Sequence, residues 1–327
     1  MAQRIVEVSE LPPPPPGQSG WPWTVEEAAA IPGTLSNPPR ISIVTPSFNQ
    51  AGFLELTLRS VLLQGYPDVE LLVLDGGSTD GSVEIIKKYE PWLAYWHSQK
   101  DKGQSDAVNQ GFRKATGQLI GWQNSDDLYD PGCFHAAASA MRQAPDVSVH
   151  YGRLVCIDGN GTVTRENRAG PFRLEDGIPW FELGNQSLFF HCRIFEEGHF
   201  LDESYHHCMD AEFYWRLIIA GHRFRFDPGI GGRFRVHGGA KTARQQDVNA
   251  REALEVFRKI LSWDGLPEPT RKVALARLRS FAATQFDHGR LAVSKDAVKL
   301  LRREGGWAAV GSGNILRRLG MYRGKAR

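Results

Sequence analysis

The 327-residue chain is 41% hydrophobic and 23% charged, an ordinary globular composition with enough apolar material for a sizeable core. Its formal net charge of +2 names no partner, but the charge is unevenly spread. From Arg271 onward 14 Lys/Arg stand against 3 Asp/Glu, leaving 25 basic and 34 acidic residues before it. No run of about 18 apolar residues appears, which excludes a spanning helix, and the N-terminal MAQRIVEVSELPPPPPGQ has no apolar core of the signal-peptide kind. Cys133, Cys156, Cys192 and Cys208 form no CxxC pair, and no His spacing suggests zinc, so they read as reduced, buried residues of a cytosolic protein.

Residues 1–39 read as a leader, with Pro12–Pro16 favouring an extended polyproline conformation and Gly20-Trp21-Pro22-Trp23 a candidate anchor on the main domain. The β-branched run Ile41–Thr45 predicts a buried strand. Leu54, Leu58, Val61 and Leu62 share one helical face, and Gly65 and Pro67 end it. A second strand, Leu71–Leu74, leads into the turn-rich loop Asp75–Gly81. A short helix follows with Ile85 and Ile86, then a strand over 94–97, a helix over 105–115 and a strand over 119–122. This alternation predicts a parallel sheet with right-handed crossovers, whose ligands bind beyond the carboxyl ends of the strands. Thr45–Asn49, Asp75–Asp80 and Asn124–Asp127 all share that address.

The second half reads differently. Val149–Ile157 and Thr162–Arg165 flank Asp158-Gly159-Asn160-Gly161 as a hairpin, Ser187–His191 is a short strand, 209–220 a helix, and 222–226 and 233–236 two strands. From Ala243 the chain reads as helical, over roughly 243–262, 270–286 and 294–304.

Asn124-Ser125-Asp126-Asp127 puts two carboxylates and an amide after a buried strand, the oxygen ligands that Mg²⁺ favours; a helix N-cap cluster reads equally well. Asp75 suits hydrogen bonds from a base or ribose, while Ser78 and Thr79 suit capping. Asp106 complements the dipole of its helix, and Asn109, a poor residue for a helix interior, points with it to a ligand-facing role. Asp210 alone reads as an N-cap. His237, beside Arg235, Lys241 and two glycines, suits phosphate or metal contact.

In order, ISIVTPSFNQ (41–50), LLVLDGGSTDGS (71–82), QSDAVNQGF (104–112), IGWQNSDD (120–127), MDAEFYWRL (209–217) and RVHGGAKT (235–242) resemble glycosyltransferase family 2. The resemblance implies an α/β, Rossmann-like GT-A fold with a mixed sheet flanked by helices. It implies a transferase domain over 40–242, divided into a nucleotide-sugar half (40–130) and an acceptor half (131–242), followed by a basic helical extension over 243–327. It implies a UDP- or GDP-linked sugar donor, a divalent cation (Mn²⁺ or Mg²⁺), and inversion at the anomeric carbon. The acceptor would be a saccharide or lipid-linked hydroxyl, in surface polysaccharide or glycolipid synthesis.

By position, Thr45, Pro46 and Ser47 line the nucleobase and ribose, Asp75 bonds the base, and Asn49, Asp106, Asn109 and Ser125 belong to the donor set. Asn124 and Asp126 stand at the two ends of the DxD motif, with an amide where the family has its first carboxylate. The implied metal ligands are Asp126, Asp127 and His237, and Asp210 is the general base. Arg235 and Lys241 are secondary candidates for the leaving diphosphate, and Gln186 and Trp180 for the acceptor. The basic tail reads either as a peripheral contact with an anionic membrane, in a cytoplasmic protein at the inner face, or as a solvated helical face. A nucleic-acid partner is not expected. A catalytically weak nucleotide-sugar-binding protein and a glycoside hydrolase are the competing readings; no GxGxxG follows the first strand, which argues against a dinucleotide enzyme.

Overall fold

The computed structural model describes residues 5–25, 37–167, 170–238 and 246–310. The chain forms two compact units, the first of residues 1–171, 182–203 and 220–238, the second of 172–181, 204–219 and 239–327. The boundary expected at 242/243 therefore falls differently: two inserted segments, 172–181 and 204–219, belong with the C-terminal helices.

The first unit holds β1 (Ile41–Ser47), α1 (Ala51–Leu62), β2 (Val69–Asp75), α2 (Ser82–Tyr89), β3 (Tyr95–Ser98), α3 (Gln104–Lys114), β4 (Leu119–Trp122), β5 (Leu128–Tyr129) and α4 (Cys133–Gln143). These are followed by β6 (Val149–Ile157), β7 (Val163–Glu166), β8 (Leu188–His191), α5 (Arg193–Glu196) and β9 (Phe224–Arg235). One mixed sheet runs β3-β2-β1-β4-β8-β6-β9-β5, with β7 beside β6. The β3-β2-β1-β4 half is parallel, as the alternating pattern predicts; β1, β2 and β4 are mostly buried apolar runs, with Ile41, Ile43 and Val44 each 0% exposed, while the edge strand β3 is only half-buried. The other half is mixed: β8 is antiparallel to β4 and β6, and β9 is parallel to β6.

The two strands expected at 222–226 and 233–236 are one, β9, whose register against β6 shifts between Tyr151 and Arg153. Pro228-Gly229 lies in that shift, where the missing proline donor is tolerated. Gly232 keeps β9 close to the chain beside it, because a Cβ there would stand 2.0 Å from the Gln186 carbonyl oxygen. The Ala-rich α4 carries too few large apolar residues to announce itself in sequence.

The described part of the leader, residues 5–25, packs on this unit. Leu11 and Trp23 are each 5% exposed. The fully buried Arg59 of α1 donates to the carbonyls of Pro12, Pro22 and Trp23, each at 2.9 Å, and to the Tyr89 hydroxyl at 3.1 Å.

The second unit holds a 3₁₀ turn (Leu174–Gly177), α6 (Met209–Ile219), α7 (Gln246–Leu261), α8 (Glu268–Asp287) and α9 (Leu291–Val310), the last broken at Gly306. Most of α6 is buried. Trp215 donates its indole N–H to the Gly177 carbonyl at 2.9 Å and packs on Phe181, and the buried Glu212 takes Arg216 at 2.9 Å and Lys259 at 2.6 Å. Several basic residues of the tail have partners here: Arg277 donates to the Ile178 carbonyl at 2.6 Å, Arg290 to Asp247 and Lys299 to Asp296. Among the described residues no helix is long and apolar enough to cross a membrane.

Candidate active site

The ends of β1, β2 and β4 carry the predicted residues on the first unit. Ser47 pairs with Asp75 in the parallel register, and the Gly76 N–H donates to the Ser47 carbonyl at 2.8 Å, so the loops after β1 and β2 are stitched together. Asn49 completes the stitch: it sits at φ +51°, accepts the Thr79 N–H at 2.9 Å, and its own N–H meets Ser78 Oγ at 2.8 Å. Thr45 and Ser47 are buried, and neither hydroxyl has a hydrogen-bond partner; Pro46 stands between them opposite Leu74. Gln123, at the end of β4, is buried with neither end of its amide bonded. It was absent from the sequence-derived set, and nothing in its spacing marks it. Such unmet groups cost about 1–3 kcal/mol each, a deficit that water or ligand oxygens can remove.

Asp75 is fully buried and organises its own loop. It accepts the N–H groups of Gly77 (3.1 Å) and Ser78 (2.9 Å) and the hydroxyls of Ser78 (2.5 Å) and Ser98 (2.6 Å). A carboxylate offers about four acceptor positions, so a base bonding Asp75 must displace one of these donors. Gly77 takes φ +85°, a conformation that glycine adopts without strain. Asp106 accepts the Lys102 N–H at 3.0 Å at the start of α3, consistent with a first-turn acid.

Asn109 corrects its expectation. It is 1% exposed; its amide nitrogen donates to the Leu201 carbonyl (3.0 Å) and Glu203 (3.1 Å), and its oxygen accepts the Leu201 N–H (2.9 Å). The poor helix former is retained to clamp the 201–203 segment, so the side chain does not face a ligand.

Asp126 and Asp127 diverge. Asp126 Oδ2 meets His237 Nε2 at 3.0 Å, with side chains 16% and 14% exposed, and the His237 ring packs on Phe53 at 4.7 Å. Asp127 is fully buried and accepts the Arg235 N–H at 2.7 Å, the Asn124 amide at 3.0 Å and the Gln186 amide at 2.5 Å. Burial, with the charge of Asp126 adding to it, pushes its carboxyl well above the usual range. Asp127 is therefore corrected from metal ligand to internal brace. Gln186 is likewise corrected: it is 2% exposed and turned onto Asp127.

Asn124 accepts the amide of Gln104 (2.8 Å) and the indole N–H of Trp122 (3.0 Å), and Ser125 is buried beside it. Arg235, 2% exposed, donates to the carbonyls of Asp126 (2.8 Å), Asp158 (2.9 Å) and Gly159 (3.2 Å) and lies over Phe53. Burial draws its pKa down, against the nearby carboxylates that raise it. Lys241 lies outside the described residues.

Asp126 and His237 fit a divalent cation. Their donor set is one oxygen and one nitrogen, and two neighbouring ligands of an octahedral ion at about 2.1 Å stand about 3.0 Å apart, the separation observed. Asn124 and Asp127 are engaged elsewhere, so Asp126 and His237 are the two side chains of this cluster that fit such an ion.

On the second unit, Asp210 is the second residue of α6, not its N-cap. It lines a pocket of about 180 Å³ with Trp180, Phe181, His207, Cys208, Ala211 and Asn249. Trp180 is 48% exposed, a flat apolar face suited to a sugar ring. Burial, with Asp210 and Glu252 adding to it, pushes the Cys208 thiol up, so this cysteine is no nucleophile.

The Glycosyl transferase family 2 model matches residues 42–207. An uncharacterized glycosyltransferase of Mycobacterium tuberculosis is 37% identical over 130 residues, 38% of this chain and 50% of that protein. The chondroitin synthase of Escherichia coli is 24% identical over 236 residues, 71% of this chain and 34% of that protein. Among solved structures, the mannosyltransferase PcManGT from Pyrobaculum calidifontis, in complex with GDP-Man and Mn²⁺, aligns with a TM-score of 0.56 at 18% identity, over 88% of this chain and 82% of that one. That likeness shows the GT-A fold. The chain spans about half the length of the curated relatives it matches.

Proposed function

The chain belongs to glycosyltransferase family 2, and from that premise we propose that it moves a sugar from a UDP- or GDP-linked donor to an acceptor hydroxyl with inversion. The acceptor class is a saccharide or lipid-linked glycan of surface polysaccharide synthesis, a reading supported by a relative that is named as a chondroitin synthase. The work is proposed to take place in the cytoplasm, at or near the inner membrane face.

The observation that carries the reading is the Asp126–His237 pair, held at 3.0 Å beyond the carboxyl ends of the parallel strands. There Asp126 and His237 would hold a divalent cation, Mn²⁺ or Mg²⁺, which when bound would supply positive charge to the departing diphosphate. The loops of Thr45–Asn49 and Asp75–Asp80 receive the nucleoside, with Asp106 and Ser125 on the same donor side. Arg235 stiffens the Asp126 backbone by holding its carbonyl. Asp210 takes the acceptor proton as that oxygen forms its bond to the anomeric carbon, and the bond to the diphosphate breaks on the opposite face. Trp180 offers the acceptor ring a stacking surface.

The test is calorimetric binding of UDP- and GDP-sugars with and without Mn²⁺, followed by turnover on Asp210→Asn. The expected result is metal-dependent donor binding that survives the substitution while transfer falls about 10²–10⁴-fold. Near-normal turnover would remove Asp210 as the base; absence of any nucleotide-sugar binding would overturn the function.

A further inference from the structure

Glu197, His199 and His222 converge on the first unit although no zinc spacing is visible in the sequence. One ligand atom of each lies within 4.8 Å of the others. Glu197 Oε2 stands 3.3 Å from His222 Nε2 and 3.9 Å from His199 Nε2. The two imidazoles meet edge to face, centroids 5.0 Å apart at 88°. Glu197 and His199 flank Gly198, just after α5, and Gly198 takes φ +87° so that the chain turns back there; His222 stands two residues before β9.

His222 carries the argument. Its side chain is 8% exposed, yet Nε2 makes no hydrogen bond. The other ring nitrogen, Nδ1, lies 3.1 Å from Ser148 Oγ, which also receives Arg193 Nε at 3.3 Å. A hydroxyl oxygen has two lone pairs, so Ser148 can accept both N–H groups, and with Nδ1 as that donor the Nε2 lone pair is left on the Glu197 side of the ring. Metal-bound histidines are commonly oriented by such a partner on the second nitrogen. The Arg193 guanidinium opposes a cation, but its other nitrogens are bound to the carbonyls of Pro145 and Val147. A plain Glu–His ion pair would account for Glu197 and His222; it does not account for a second imidazole at the same carboxylate.

We infer that Glu197, His199 and His222 form a Zn²⁺ site, sharing no residue with the Asp126–His237 pair, that clasps the turn after α5 to the entry of β9. Tetrahedral zinc ligands at about 2.0–2.2 Å stand about 3.3–3.5 Å apart. The Glu197–His222 distance meets that already. The Glu197–His199 distance closes with a shift of about half an ångström in the glutamate, which is 52% exposed. Two imidazoles and a carboxylate favour Zn²⁺ over Mg²⁺ or Ca²⁺, and a fourth position remains for water.

The full chain carrying His237→Ala, which removes the nitrogen ligand of the other metal pair, is titrated with Zn²⁺ against a chromophoric chelator and with Co²⁺ by visible absorption. One Zn²⁺ per chain, an intense tetrahedral Co²⁺ band and a Zn²⁺-dependent rise in melting temperature are expected. All three should vanish when His199→Ala is added; His199 is on the surface side of the cluster, so that variant folds, as circular dichroism checks. His222→Gln gives the same loss by a second route. No Zn²⁺ uptake at tenfold excess, or uptake unchanged by His199→Ala, overturns the site.

Discussion

Glu252 on α7 accepts the main-chain N–H of Cys208 at 2.8 Å, at the point where α6 begins. The same carboxylate takes the N–H groups of His206 and His207, each at 2.7 Å. Two of these donors precede the helix and the third, Cys208, stands just before its first residue, so the carboxylate fixes the entry of the chain into α6, and an anion there also complements the helix dipole. Glu252 thus sets the first turn of α6, in which Asp210 and Glu212 sit. Glu252→Ala leaves three donors unmet in a buried corner and is expected to lower stability by about 2–3 kcal/mol, read as a shift in denaturant midpoint with unchanged slope. Glu252→Gln, which keeps one oxygen in place, should recover part of that loss. In the transfer assay the Ala variant should reduce kcat more than donor affinity, since it disturbs the Asp210 turn.

His150 makes stability depend on pH. It is fully buried in β6 with neither ring nitrogen hydrogen-bonded, and burial, helped by Arg225, His191 and Arg193, pulls its pKa down to about 4. In the unfolded chain it titrates near 6.5. Between those values the unfolded state binds more protons than the folded one, so stability rises with pH. It is therefore fully present above about 6.5 and is lost as pH falls toward 4, by on the order of 3 kcal/mol. His150→Leu should flatten this slope, measured as denaturant midpoint against pH. A residual slope of the same sign remains from His191 and His222, whose pKa values burial also lowers.

The parallel half of the sheet was legible because β1, β2 and β4 are buried and read as apolar runs, while Gly65, Pro67 and Gly117 mark the connections. The antiparallel half was only partly legible. Pro228-Gly229 reads as a turn between two strands, yet the neighbouring β6 supplies enough pairing to carry β9 through a register shift. In the candidate site, position after a strand fixes where a backbone lies but not which way a side chain turns. Asp126 and Asp127 are adjacent and diverge, and that depends on Arg235 and Gln186, more than 50 residues away in sequence. The Glu197–His199–His222 cluster was invisible for the same reason, since its third member arrives from a distant element.

Arg59 holds the leader. Its guanidinium bonds three leader carbonyls and stacks 5.1 Å from the Trp23 ring. Arg59→Ala should cost about 2–3 kcal/mol and open residues 5–25 to limited proteolysis, read by mass spectrometry of early fragments. Arg59→Lys should fail to rescue, because an ammonium on a flexible stem cannot span three diverging carbonyls as the planar fork does.

The amide at Asn124 invites replacement by the carboxylate that the family carries there, and the geometry predicts that the replacement alone does harm. Asn124 Nδ2 donates to Asp127 Oδ2 at 3.0 Å, and Asp127 is fully buried beside Asp126. Asn124→Asp replaces that donor with a second carboxyl group against Asp127, whose own carboxyl already sits well above its usual range. It should cost about 1–3 kcal/mol at neutral pH and less in acid, where protonation of either carboxyl restores a donor. Adding Asp127→Asn should reverse much of the loss. The amide placed at position 127 can keep its oxygen toward the Arg235 N–H and turn its nitrogen toward the carboxylate placed at position 124. Gln186, whose Oε1 is buried without a partner, can flip to accept the second amide hydrogen. A double variant no more stable than Asn124→Asp would show that the Asn124–Asp127 contact is not what fixes the amide at this position.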